Sequence, residues 1–168
     1  MSKTLKNLQE SFAGESQANR KYTAYAQKAE ADGYPQIAKL FRAAAAGETV
    51  HAIAHYKAMD GVKTTAENLK DAINGENYEV VSMYPGMIAD AEAEGDRRAV
   101  VSFKNAFAVE KVHEGLYREA LAMLEAGQQA VEPFDYFVCP VCGYVEKRNA
   151  PERCPVCGAP GAKFERIS

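Results

Sequence analysis

The chain has 168 residues, and its 20 Lys+Arg against 23 Asp+Glu give a formal net charge of −3 at pH 7. This mildly acidic balance, without a dense Lys/Arg cluster, argues against nucleic acid or an anionic membrane as the main partner. No apolar run approaches 18 residues and the first residues are polar, so we expect no transmembrane helix, no secretory signal and a cytoplasmic location.

The composition changes along the chain. Residues 1–130 contain 26 of the 29 alanines, whereas all four cysteines lie between positions 139 and 157. We therefore predict a helical domain over 1–130, a linker over 131–136 and a small domain over 137–168. The small domain, at about 32 residues, cannot fold on an apolar core alone and needs a covalent or metal cross-link.

The first domain is predicted to be all-α. Its residues are good helix formers, and turn-forming sequences at 32–35, 60–61, 94–96 and near Gly127 divide it into four segments of roughly 25–30 residues. Four segments of this length are typical of a four-helix bundle. Pro85 lies inside the third segment, where we expect a local kink.

An internal repeat supports the same division. At an offset of 62, residues 29–33 match 91–95 and Phe41 matches Phe103, although the register between 1–28 and 63–90 is poor apart from Tyr22 and Tyr84. The pattern predicts a helical hairpin that occurs twice, which gives a bundle with pseudo-two-fold symmetry.

Carboxylates and histidines continue the apolar stripes of all four predicted helices. The second and fourth helices each carry a Glu-x-x-His unit, which puts both side chains on one helix face. The first helix adds one glutamate and the third adds two. The candidate ligands are Glu15, Glu48, His51, Glu76, Glu79, Glu110 and His113.

Charged groups on core-facing stripes require partners. One Glu from each of two helices with Glu-x-x-His from the other two is the pattern of di-iron and di-manganese carboxylate bundles. A buried salt-bridge network is the alternative, but few Lys or Arg lie on these faces. His55 is predicted to be a core or supporting histidine rather than a ligand. Tyr22 and Tyr84 could equally hydrogen-bond the carboxylates or pack in the core.

The tail contains two Cys-Pro-Val-Cys-Gly sequences, which provide Cys139, Cys142, Cys154 and Cys157. Two Cys-x-x-Cys pairs are the sequence form of a tetrathiolate metal site, and disulfides are disfavoured in a reducing compartment. The spacing alone leaves iron and zinc open.

These motifs together resemble the rubrerythrin family, which joins a ferritin-like di-iron bundle to a rubredoxin-like domain. The resemblance extends over the full chain and includes the sequences at 13–16, 38–42, 48–51, 75–79, 83–85 and 110–113. It implies two irons bridged by Glu48 and Glu110. Glu76 and His113 would complete the ligand set of one iron, and Glu15 would complete that of the other. The resemblance implies that this second iron moves between His51 and Glu79 with redox state. A further iron would occupy the four cysteines, with zinc possible in a given preparation.

The resemblance also implies an activity, namely reduction of hydrogen peroxide to water with electrons from NAD(P)H through a separate reductase or rubredoxin. A ferroxidase or iron-handling protein, and a non-catalytic bundle with a structural zinc ribbon, are the alternatives. Because the tail follows a bundle about 40 Å long, the two metal sites of one chain could be too far apart for fast electron transfer. We therefore expect a homodimer, with helix exchange possible, in which one subunit's tetrathiolate iron lies near the other's di-iron site.

Overall fold

The computed structural model describes residues 2–127 and 133–168. Helices α1 (Lys3–Ala31) and α2 (Pro35–Ala58) are followed by α3 (Thr65–Tyr78), a π-turn (Glu79–Met83) and α4 (Tyr84–Glu94), which form one helical run. Helix α5 (Arg97–Glu125) completes the helical part. The four predicted helical segments and their turn positions are thus confirmed. The predicted domain end at 130 and the first two residues of the linker predicted at 131–136 lie outside the described residues, and the last linker residue, Tyr136, begins the first strand of the tail.

The chain divides into two compact units, Met1–Lys63 and Thr64–Ser168. In the first unit, α1 and α2 pack as a hairpin on small side chains, and Ala26, Ala38 and Ala45 are buried. Alanines at the contact allow the two backbones to approach closely. Phe12 stacks on Tyr56 with the ring centroids 5.0 Å apart.

In the second unit, α3 and α4 pack on α5 around the buried Ile73, Ala91 and Val109. Local signals define the helix starts. Thr64 and Glu67 form a capping box before α3, and the Asp96 side chain accepts two backbone N–H bonds at the start of α5. The irregularity predicted at Pro85 takes the form of a π-turn that ends at Met83, two residues before this proline, and the helical run continues through it.

The tail contains a three-stranded antiparallel sheet in the order β2-β1-β3, built from β1 (Tyr136–Val138), β2 (Val145–Lys147) and β3 (Glu165–Ile167). A 3-10 turn at Gly161–Lys163 precedes the last strand. The core of the tail is formed by Cys139, Cys154 and Ala159, with Tyr144 and Phe164 packed around them. The tail therefore has a very small core, which consists largely of its cysteines.

The predicted repeat is present in the contacts as well as in the sequence. Tyr22 packs on Phe41 at 6.2 Å, and the residues 62 positions later, Tyr84 and Phe103, pack at 6.3 Å. The ion pair between Arg42 and Glu30 likewise has its counterpart between Lys104 and Glu92. The two helical pairs therefore repeat the same side-chain contacts.

No helix in the described part of the chain is both long and apolar enough to cross a membrane.

Candidate metal centres

Three groups of potential metal ligands occur among the described residues, and in each group one donor atom per residue lies within 4.8 Å of the others. Two groups are carboxylate–histidine triads and the third is the cysteine cluster. The groups are Glu15, Glu48 and His51; Glu76, Glu110 and His113; and Cys139, Cys142, Cys154 and Cys157. Ten of the eleven ligands predicted from sequence belong to one of them.

The first triad lies on the α1–α2 hairpin. His51 Nδ1 is 3.0 Å from Glu48 Oε2, one helical turn before it, and α1 brings Glu15 beside this pair. The 57% exposure of the His51 side chain contrasts with 19% for Glu48. Two carboxylates and one imidazole on neighbouring helices are suitable ligands for a first-row divalent metal.

The second triad, on α3 and α5, has the same construction. His113 Nδ1 is 2.9 Å from Glu110 Oε2 and 3.7 Å from Glu76 Oε1. Burial raises the pKa of Glu76 to about 7, and a hydrogen bond and charge repulsion from Glu110 add to this, followed by repulsion from Glu79 and Glu114. Several carboxylates close together repel one another and disfavour their ionised forms when no cation is bound. A bound cation would remove this repulsion.

Glu79 is the predicted ligand that the structure does not bring into either triad. It is the first residue of the π-turn, and it is near enough to the second triad to interact with it electrostatically. Burial and the charge of Glu110 raise the pKa of Glu79, whereas His113 lowers it. Glu79 therefore lies beside the second triad, and its role as a ligand stays a prediction.

The remaining sequence candidates have other surroundings. His55 belongs to none of the ligand groups found among the described residues. Tyr22 packs on Phe41, and Tyr84 on Phe103. Burial raises the pKa of the Tyr84 hydroxyl, and the charges of Glu79, Glu110 and Glu76 raise it further, which places Tyr84 close to the second set of carboxylates.

The four cysteines are built into two similar knuckles. Cys139 and Cys154 each donate a backbone N–H to a residue five positions later and accept one from a residue four positions later. The accepted bonds come from Gly143 and Gly158, which adopt φ values of 86° and 76°, a conformation that favours glycine. The knuckles therefore explain both Cys-Pro-Val-Cys-Gly sequences.

The sulphur separations fit a single metal ion. Cys139 Sγ lies 3.6 Å from Cys157 Sγ, and Cys142 Sγ lies 3.5 Å from Cys154 Sγ. Metal–sulphur bonds of about 2.3 Å place tetrahedral sulphurs about 3.8 Å apart. Burial raises the pKa of the Cys154 thiol, but hydrogen bonds from the backbone N–H groups of Cys157 and Val156 outweigh it and lower that pKa to about 7. The metal-free site therefore favours the thiolate, the form that binds metal, at Cys154, whereas burial raises the pKa of the Cys142 and Cys157 thiols.

The tail contacts α5 within the same chain. His113 Nε2 is 3.2 Å from the Gly143 carbonyl oxygen, and Lys147 forms an ion pair with Glu119. A Cβ atom on Gly143 would come within 3.9 Å of Val109. The expectation that the two metal sites of one chain could be far apart is corrected for the second triad, since the tail reaches its ligand His113. His113 is only about 18 Å from the end of α5 at 1.5 Å per residue, which the connection from Glu125 to Tyr136 can span.

The His113–Gly143 contact is a feature that sequence reasoning missed. The carbonyl oxygen can only accept, so Nε2 carries a hydrogen, and Nδ1 faces the Glu110 carboxylate, the side on which a metal would bind. Because Gly143 directly follows Cys142, one hydrogen bond connects a cysteine of the tail to a histidine of the second triad. No local sequence signal could show this, since His113 and Gly143 are 30 positions apart.

Two carboxylate–histidine triads on helical pairs, with a tetrathiolate domain, define a di-iron carboxylate protein of the ferritin-like class fused to a rubredoxin-like module. Comparison with known families agrees. The family model described as Rubrerythrin matches residues 6–121, and the one described as Rubrerythrin, rubredoxin-like domain, matches residues 137–165. The chain belongs to the rubrerythrin family.

Individual relatives match over nearly the whole chain. Nigerythrin from Nitratidesulfovibrio vulgaris is 37% identical, and the match covers 96% of this chain and 85% of that protein. Rubrerythrin from Porphyromonas gingivalis is 38% identical, with 98% and 90% covered. A solved structure of fully reduced, all-ferrous nigerythrin has a TM-score of 0.59 at 35% identity, and the match covers 99% of this chain and 88% of that one.

The donor groups and the family together identify the cofactors as a di-iron centre and an iron in the four-cysteine site. They also place the chain in a family of di-iron proteins linked to oxidative stress.

Proposed function

We propose that the protein is a peroxidase that reduces hydrogen peroxide to two molecules of water, with two electrons and two protons consumed per turnover. The electrons come from NAD(P)H through a separate reductase or rubredoxin. The observation that carries the proposal is the His113–Gly143 hydrogen bond of 3.2 Å, because it links the tetrathiolate module to a ligand of the carboxylate centre. A structural zinc ribbon has no need of such a connection.

The proposed ligand set follows the two triads. As the family resemblance implies, Glu48 and Glu110 would be the ligands shared by the two metals, and each lies beside the histidine of its own triad. Glu76 and His113 would complete one metal position and Glu15 the other, where His51 and Glu79 would be alternative ligands. When bound, the paired irons would provide the two electrons that peroxide reduction requires, and the tetrathiolate iron would provide one-electron transfer.

The residues of the chain have defined tasks in this scheme. The Gly143 carbonyl holds the His113 ring and fixes which nitrogen faces the carboxylates. The carboxylates offset the metal charge, and Glu76, with a pKa of about 7 in the metal-free protein, can bind or release a proton near neutral pH. Backbone N–H groups of the knuckles stabilise the thiolates.

We also propose a cytoplasmic location, where the four thiols stay reduced, and the homodimer that the family resemblance implies. The distance argument for a dimer no longer holds, since tail and triad meet within one chain. Sedimentation tests the dimer. Full peroxidase turnover by a dilute monomer would exclude a requirement for it.

The activity is tested anaerobically. Iron-loaded protein is reduced until the red absorption of the ferric tetrathiolate disappears, and one equivalent of hydrogen peroxide is added. We expect the red colour to return, and to return far more slowly in Glu110→Ala, which keeps all four cysteines. Failure of the colour to return in wild-type protein with iron in the four-cysteine site would refute the peroxidase.

A further inference from the structure

Asn19 is a buried polar side chain that the proposed function does not use. It lies on α1 one turn after Glu15 and is 8% exposed. Its amide Nδ2 donates to the Ala45 carbonyl oxygen at 2.6 Å and to Thr49 Oγ1 at 2.7 Å, both on α2. Its Oδ1 accepts from Arg20 Nε at 2.7 Å. Asn19 therefore connects α1 to α2 through both hydrogens of a single amide.

The partners of Asn19 flank the first triad. Ala45 and Thr49 are one helical turn apart on α2, and Glu48 lies directly before Thr49. The Thr49 hydroxyl also donates to the Ala45 carbonyl oxygen at 3.1 Å, which closes a ring of three hydrogen bonds. A shift of α1 along α2, or a rotation of α1, would break this ring and would also move Glu15 relative to Glu48.

The second helical pair does not have this connection. Asn19 lies four residues after Glu15, and the residue four positions after the matching Glu76 is Val80. Ala45 lies three residues before the first Glu-x-x-His unit, and the residue at the same place before the second unit is Phe107. Thr49 corresponds to Lys111, whose ammonium group lies 3.8 Å from the centre of the Phe107 ring. The two triads are alike, but of the two helical pairs described, the first alone has a buried amide that fixes the register of its helices.

A hydrogen-bonded amide in an otherwise apolar contact restricts a helix pair to one alignment, because any other alignment leaves the buried amide without its hydrogen-bond partners. The apolar contacts of this hairpin are mostly alanines, which are small and nearly equivalent to one another. They restrict sliding only weakly, so Asn19 is the residue best suited to set the register.

We propose that Asn19 is a positioning residue that aligns α1 on α2 so that Glu15 reaches the metal position formed with Glu48 and His51. This inference rests on the proposed ligand set. It assigns Asn19 no contact with substrate or metal, and it predicts that loss of the amide weakens metal binding at one of the two positions.

The test uses the full chain with zinc in the four-cysteine site, titrated with Mn²⁺, a metal that prefers carboxylate and imidazole to thiolate. Free Mn²⁺ is followed by its electron paramagnetic resonance signal. Wild-type protein is expected to bind two Mn²⁺ and to show the spectrum of a coupled pair. In Asn19→Leu, the affinity for the second Mn²⁺ should fall by about 10-fold or more. When the amount of Mn²⁺ that gives the coupled pair in wild type is added, the variant should show the spectrum of isolated Mn²⁺.

Asn19→Leu leaves no buried acceptor without a donor, because Thr49 still donates to Ala45. The thermal unfolding midpoint should therefore change little, which separates positioning from stability. Asn7→Leu, the same change at an exposed position of α1, is the matched control. If Asn19→Leu does not fold, the same comparison is made with Thr49→Val, which removes both hydrogen bonds of the ring that involve Thr49 Oγ1 and leaves the one from Asn19 to Ala45.

Unchanged Mn²⁺ affinity and an unchanged coupled spectrum in Asn19→Leu would overturn the inference while leaving the proposed ligand set intact. An equal loss of affinity in Asn7→Leu would overturn it as well. Wild-type protein that binds no Mn²⁺ outside the cysteine site would instead refute the proposed metal centre, and the inference with it.

Discussion

The metal-free protein should become less stable as the pH rises from about 4.5 to about 7, and Glu76 should be the main cause. The Glu76 side chain is 18% exposed, and burial beside Glu110 raises its pKa from 4.5 to about 7. Below pH 4.5, both the folded and the unfolded chain carry Glu76 protonated, and folding incurs no penalty from it. As the pH rises, the unfolded chain ionises first, and above about pH 7 the folded state must hold a buried carboxylate.

The size of the effect follows from the shift. A difference of about 2.5 pKa units corresponds to about 3 kcal/mol of stability lost between about pH 4.5 and pH 8. Glu76→Gln, which stays neutral at every pH, should recover most of this. We expect the metal-free variant to exceed wild type by up to about 3 kcal/mol at about pH 8 and to match it near pH 4.5.

The assay is urea unfolding of chelator-treated, thiol-reduced protein, followed by helical ellipticity at about pH 4.5, 6 and 8, which span the two Glu76 pKa values. Glu94→Gln, at an exposed position of α4, controls for the amide itself. A stability difference between Glu76→Gln and wild type that is the same at all three pH values would refute the reasoning. With metal bound, the order should reverse, because glutamine cannot supply the anionic ligand that the cation needs.

Three further changes test other parts of the fold. Gly161→Ala should prevent the tail from folding, because its Cβ would lie 1.8 Å from the Pro151 carbonyl oxygen; a variant that retains the ferric tetrathiolate absorption would contradict this. Cys142→Ser should lower metal retention in the tail and expose it to protease, since the tail is too small to fold without its ion; equal protease resistance would disprove it. Asp96→Ala removes the N-cap of α5 and should lower the free energy of unfolding by about 1 kcal/mol. An unchanged midpoint of urea unfolding would contradict this prediction.

The features that sequence predicted are those whose causes are local. Helices α1 and α4 end at turns that contain Gly33 and Gly95, both with positive φ, and glycine after a helix-forming segment is a local stop signal. The Glu-x-x-His units lie within one helical turn, so their side-chain proximity follows from helix geometry alone. The Cys-Pro-Val-Cys-Gly knuckles are likewise local, and their pairing follows from the requirement for four thiolates around one ion.

Contacts between distant segments were not predictable in the same way. The expected separation of the tail from the helix ligands came from helix length, and the Gly143 carbonyl beside His113 shows why length was insufficient. The connection after Glu125 is long enough for the tail to pack back along α5. Its direction depends on contacts such as Lys147 with Glu119, which leave no periodic signal in the sequence.

The π-turn explains the one place where the repeat loses its register. Glu15 and Tyr22 are seven residues apart on α1, whereas their counterparts Glu76 and Tyr84 are eight apart. Before the turn, the two halves match at an offset of 61, with Gly75 corresponding to Gly14, and after it they match at 62.

The π-turn lies between Glu76 and Tyr84, and the Tyr84 N–H donates to the Glu79 carbonyl oxygen five residues earlier. A π-turn takes up one extra residue without ending a helix, so Glu76 stays at its triad while Tyr84 stays on Phe103. Comparison at a single offset cannot detect an insertion, which is why the repeat in 63–90 was hidden although the ligands it carries were not.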